Sequence, residues 1–117
     1  MNPKTADRRI YRIQAEILKA LAHPVRLEIL HLIGSGEVPF GRLLTSLGIS
    51  KTNLSQQLAV LRRAHIVTDR RDGVNTLYRL SFPEMAEACQ TVGQAVARHF
   101  VDVGEQARSL LERAERQ

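Results

Sequence analysis

Apolar residues return every three or four positions near the start of the chain. Ile10, Ile13, Ile17 and Leu21 form one stripe, while Arg8, Arg9, Arg12 and Lys19 lie mostly away from it. That period predicts a helix from about Thr5 to Leu21. His23-Pro24 interrupts it, and Pro24 suits the first position of a second helix, where a missing N–H costs nothing. Val25, Leu27, Ile29, Leu30, Leu32 and Ile33 make this second helix apolar on most sides. It is expected at the centre of the core, with His31 inside it, and Gly34-Ser35-Gly36 should end it. A short third helix is predicted from Phe40 to Leu47, with Leu43, Leu44 and Leu47 on one side. Gly48 supplies a left-handed turn, and Ser50 is the expected N-cap of a fourth helix from Lys51 to Ala64.

The period then changes. Val67–Arg71 and Asn75–Leu80, rich in Val, Thr, Leu and Tyr, read as two strands joined across Asp72-Gly73-Val74, a hairpin signal. Ser81 and Glu84 have capping-box spacing and open a last helix reaching about Arg113. Its apolar stripe (Met85, Cys89, Val92, Val96, Phe100, Val103, Leu110) is longer than a domain of this size covers by itself, so a second copy of the chain is the expected cover. The fold class is mainly α with a small β-hairpin, a dimeric winged helix–turn–helix. One domain is expected over residues 1–117. Residues 1–22 and 83–113 are its dimerisation helices, 40–64 the helix–turn–helix and 67–80 the wing.

Composition narrows the class. The chain has 117 residues, 44% hydrophobic and 25% charged, with three Phe, two Tyr and no Trp, so its core must be aliphatic. A single cysteine, Cys89, cannot close an intrachain disulfide, and with no leader-like start a reducing cytoplasm is the expected compartment. No apolar run approaches the length of a membrane span. Net charge is +5 and unevenly spread: residues 1–20 carry +3, residues 50–80 carry +4, residues 21–49 are neutral and residues 81–117 carry −2. A basic zone confined to part of the surface suits a polyanion.

The fourth helix carries the candidate chemistry. Leu54, Leu58 and Leu61 share one face at 100° per residue. The other presents Thr52, Gln56, Ala59 and Arg63, with Asn53 and Ser55 on its flanks. These are short polar groups able to hydrogen-bond base edges. Gln57 lies nearer the apolar side, so Gln56 is the favoured base contact. Lys51 can reach phosphate beside the helix N-terminus. Arg62, Arg63, Arg70, Arg71 and Arg79 extend the basic zone along the hairpin, with Asp69 and Asp72 working against it.

Taken in order, Leu18-Lys19-Ala20-Leu21-Ala22-His23-Pro24-Val25-Arg26-Leu27, Leu47-Gly48-Ile49-Ser50, Leu54-Ser55-Gln56-Gln57-Leu58 and the hairpin Arg70–Leu80 resemble the ArsR/SmtB family of prokaryotic repressors. The resemblance covers about residues 15–82. It implies a homodimer built from the first and last helices, an imperfect palindromic operator in double-stranded DNA, and repression relieved by an inducer.

The family's sensing sites match poorly. Pro39 and Gly41 stand where the arsenic-type site has thiols. His99 and Asp102 match half of the zinc-type site, but Ala86 and Ala88 fall at the other half, so zinc would be under-coordinated. A persulfide-sensing subgroup needs two thiols, and this chain has one. No cofactor is expected. Cys89, His99 and Asp102 stay as candidate sensing residues, with core packing the alternative for Cys89. A different class of function, a winged-helix module for protein partners or non-specific DNA without a ligand switch, fits the same pattern. An enzyme does not, since neither a phosphate loop nor a nucleophile–base constellation is evident.

Overall fold

The computed structural model describes the backbone of residues 7–103 and 105–116, and the side chains of residues 7–100 and 108–116. Contacts divide the chain into two compact units, Met1–Ala86 and Glu87–Gln117. The first holds α1 (Arg9–Leu21), α2 (Pro24–Ile33), β1 (Glu37–Pro39), α3 (Phe40–Leu47), α4 (Lys51–Arg63), β2 (Val67–Asp72), β3 (Asn75–Leu80) and the opening residues of α5 (Pro83–Val103). The second holds the rest of α5 and α6 (Glu105–Arg116).

In the first unit, α2 packs against α3, α4, β1 and β3, and α1 packs against α2 and α4. Leu21, Ile29, Leu30, Ile33, Leu43, Leu54, Leu58, Leu61, Ile66, Val67 and Leu80 are buried between these elements. The core is aliphatic, as the composition requires. Its one buried aromatic, Tyr78, meets Phe40 with ring centroids 6.4 Å apart.

Several boundaries differ from the sequence reading. The first described helical residue of α1 is Arg9, preceded by Asp7, whose Oδ1 accepts from the Arg9 N–H at 3.0 Å; Thr5 lies outside the described residues. Pro24 opens α2 as expected, and His23 caps it, Nδ1 accepting from the Val25 N–H at 3.1 Å. Centrality of α2 holds only on one side: Ile29, Leu30 and Ile33 are buried, but Leu27, Glu28 and His31 are exposed. A helix has more circumference than its neighbours cover, so His31 is a surface residue and not a buried one.

The principal omission is β1. Glu37, Val38 and Pro39 pair antiparallel with Arg79, Tyr78 and Leu77, giving a three-stranded sheet in the order β1-β3-β2. Three residues ending in proline carry too little alternation to announce a strand. The hairpin itself is tighter than expected: β2 extends to Asp72, which pairs with Asn75, leaving Gly73-Val74 as a two-residue turn. Gly73 has φ 62°, a conformation that glycine adopts without strain at the first turn position. Helix α4 ends at Arg63 with Ala64 as its C-cap. His65 follows with φ 60°, a left-handed turn into β2.

The last helix begins at Pro83, so Ser81 stands outside the cap position that its spacing with Glu84 suggested. Its N–H instead donates to the Ile66 carbonyl at 2.9 Å. Helical structure runs on to Arg116 rather than Arg113, as α5 and α6 on either side of residue 104, which lies outside the described residues. Within the second unit Val92, Val96, Leu110 and Leu111 are exposed, and Cys89 and Phe100 are half-buried. No described helix is long and apolar enough to cross a membrane.

Candidate nucleic-acid interface

The turn between α3 and α4 is built as its sequence requires. Gly48 adopts the left-handed conformation (φ 64°, ψ 33°) and its N–H donates to the Leu44 carbonyl at 3.0 Å. A side chain here would be strained by φ alone. Ser50 turns the chain into α4, its Oγ accepting from the Asn53 N–H at 3.0 Å. Leu54, Leu58 and Leu61 are 0%, 3% and 0% exposed, which fixes the rotation of α4 about its axis. Lys51, Thr52, Ser55, Gln56, Arg62 and Arg63 are all exposed, and Ala59 is half-buried. No part of the described chain covers the outward row.

Asn53 and Gln57 are placed differently. Both are half-buried. Gln57 Nε2 donates to Asn53 Oδ1 at 3.0 Å, and Gln57 Oε1 accepts from Arg26 Nη1 at 2.8 Å. Arg26 Nε also donates to the Ala20 carbonyl at 2.5 Å. Gln57 is thus taken up inside the protein while Gln56 is left outside. No local pattern signals that Arg26 and Gln57 meet, because they lie on separate helices 31 residues apart.

The arginines divide into two groups. Arg62 Nη1 lies 3.3 Å from Asp69 Oδ2. Arg70 makes a two-pronged pair with Glu37, Nε to Oε2 and Nη2 to Oε1, each at 2.8 Å. That pair holds the Glu37 carboxyl below its usual range and raises Arg70. Lys51, Arg63, Arg71 and Arg79 have no carboxylate partner among the described residues. Sheet register separates them further. Glu37, Arg79 and Thr68 form one cross-strand row, and Arg70, two residues from Thr68, shares their face. Arg71 shares the opposite face with Asp69 and Tyr78, the face whose Asp69 reaches Arg62 of α4. Arg71 therefore stands on the α4 side of the wing, and Arg70 and Arg79 on its reverse. Strand alternation separates Arg70 from Arg71, and what sequence spacing does not supply is Glu37 of β1 as the partner of Arg70.

Cys89 and His99 lie in the second unit, and the Asp102 side chain lies outside the described residues. His99 is exposed and meets the neighbouring Phe100 edge-on at 5.0 Å. Burial pushes the Cys89 thiol above its ordinary pKa, with no cation to offset it. Since the thiolate is the reactive species, alkylation of Cys89 near neutral pH should be slower than that of a free cysteine peptide and should accelerate only as pH rises past the peptide's own transition. A rate equal to the peptide's would show that the thiol is not desolvated.

A family profile described as a helix-turn-helix domain matches residues 21–70. The HTH-type transcriptional regulator Rv0081 of Mycobacterium tuberculosis is 43% identical over 94 residues, spanning 80% of this chain and 82% of that protein. Its crystal structure superposes with a TM-score of 0.68 at 39% identity, covering 87% of this chain and 97% of the other. The transcriptional repressor BigR of Xylella fastidiosa gives a TM-score of 0.69 at 35% identity, covering 81% and 96%. The homodimeric winged helix-turn-helix DNA-binding domain of Mb0332 from Mycobacterium bovis, described as a possible ArsR-family regulator, gives 0.69 at 29% identity, covering 85% and 94%.

Proposed function

We propose that this chain, which belongs to the ArsR/SmtB family of winged-helix transcriptional regulators, is a cytoplasmic repressor that binds a palindromic operator as a homodimer and is released by an inducer. The observation that carries the reading is the outward row of α4: Thr52, Ser55 and Gln56 exposed, flanked by Lys51 and Arg63 without carboxylate partners among the described residues. Such a row can enter a major groove with its N-terminal residues on base edges. Arg71, on the α4 side of the wing, is positioned for the adjoining backbone. The role is binding, not catalysis.

Dimerisation supplies the second half of the geometry. A two-fold axis relating two α4 helices roughly 34–36 Å apart would place them in successive major grooves. The apolar residues left exposed on α1 (Tyr11, Ile13, Leu18) and on α5 (Val92, Val96) are the surfaces such an axis would cover. Cys89, His99 and Asp102 remain the proposed sensing residues, with Cys89 and His99 outside any ligand cluster among the described residues.

Gln56→Ala should cost roughly 1–3 kcal/mol on the preferred site and blur base preference there. Arg71→Ala should weaken all duplexes alike and reduce the salt slope by about one. Binding isotherms on operator and random duplex, at several salt concentrations, measure both. Equal affinity of the unsubstituted chain for the two duplexes would support the non-specific module instead.

A further inference from the structure

The chain of hydrogen bonds from Arg26 to Asn53 has a direction set by chemistry. A guanidinium only donates. Gln57 must therefore turn Oε1 toward Arg26 Nη1 (2.8 Å), which sends Nε2 toward Asn53, and Asn53 must meet it with Oδ1 (3.0 Å). The NH2 of Asn53 is the end of the amide that Gln57 leaves unengaged, while Oδ1 keeps one further lone pair. Arg26 is itself fixed, since its Nε holds the Ala20 carbonyl in the last turn of α1. Asn53 stands in the first turn of α4, where its backbone is pinned by the Ser50 cap, and it is only half-buried.

Resting on the DNA-reading function proposed above, we infer that Arg26, acting through Gln57, orients the Asn53 amide with its NH2 free to donate, so that the base facing Asn53 presents an acceptor. In the major groove guanine (N7, O6), thymine (O4) and adenine (N7) each offer such an acceptor, whereas cytosine offers only its N4 donor. Cytosine is therefore the base that this orientation of the amide disfavours. Arg26 and Gln57 are thus positioning residues, remote from the base, that set which edge is accepted.

Gln57→Glu tests this most sharply. A carboxylate still accepts from Arg26 but cannot donate to Asn53. The Asn53 amide should then reverse, NH2 inward and Oδ1 outward. Selection of sites from a randomised duplex pool should exclude cytosine at one half-site position for the unsubstituted chain. For Gln57→Glu the same position should admit cytosine, whose N4 donates, with a shift in relative affinity of roughly five- to tenfold. Asn53→Ala should lose preference at that same position. The added negative charge weakens binding to every sequence and cannot by itself move one base, so the base identity is the readout. Circular dichroism shows whether Gln57→Glu is folded; if it is not, Gln57→Met, which removes both bonds, should relax that position to include cytosine. Identical selected sites for the unsubstituted chain and the folded position-57 variant would overturn the relay while leaving DNA reading intact. A pool in which the unsubstituted chain enriches nothing would overturn the DNA-reading function and the relay together.

Discussion

Ile13→Asp should yield a folded monomer that binds the full operator about a hundredfold or more weakly than the unsubstituted chain. Ile13 lies in the middle of α1 and is 55% exposed, so the change removes little from the protomer's own core. It borders an open groove of about 710 Å³ whose walls include Ile17, Ala20, Val60, Ala64 and Phe82. A mostly apolar groove, edged by Lys19, Arg26 and Arg63, and an exposed isoleucine together define a surface that a second copy can cover, and a carboxylate placed there must give up its hydration. Losing the dimer costs avidity: the second half-site ceases to be reached within one complex, and that coupling is worth on the order of 10²–10⁴ in affinity. Sedimentation gives the oligomeric state, and titration with full and half operators gives the two affinities. Half-site binding should survive. An unchanged dimer with unchanged operator affinity would mean that α1 plays no part in assembly.

Leu54→Ala is the complementary experiment, made on the inward face of the same helix that carries Gln56. Leu54 is wholly buried in α4, which packs against α1, α2 and β2. Truncating a buried leucine removes transfer free energy and leaves a cavity, together about 2–5 kcal/mol. Against a total stability of about 5–15 kcal/mol, this is a large fraction. The melting temperature should fall by about 10 °C or more, and operator affinity should fall with it because the seat of α4 is loosened. Thermal melts of Leu54→Ala and Gln56→Ala side by side separate the two faces: the first should lose stability, the second should lose only sequence preference. A normal melt for Leu54→Ala would place that leucine outside the core.

The helix–turn–helix was legible because its signals are local. Leucine spacing sets the rotation of α4, Gly48 has to turn left-handed, and Ser50 has a donor to cap three residues on. The hairpin was legible for the same reason, with Gly73 at the turn. What sequence could not show is long-range. Strand β1 is too short to display a period and exists because β3 offers it an edge. Its arrival decides that Arg70 is paired to Glu37. Likewise nothing in the string brings Arg26 to Gln57; packing of α2 on α4 does. His31 shows the converse, since its apolar neighbours along the chain do not bury it and its side chain is exposed.

The most direct measurement is amide chemical-shift mapping of the labelled protein as a selected operator duplex is added. The largest changes should fall on residues 50–56 at the start of α4 and on Arg71 to Asn75 at the wing, with Ile29, Leu30 and Ile33 nearly silent. Changes confined to α1 and α5, with Lys51 to Gln56 unmoved at saturation, would contradict the placement of α4 in the groove.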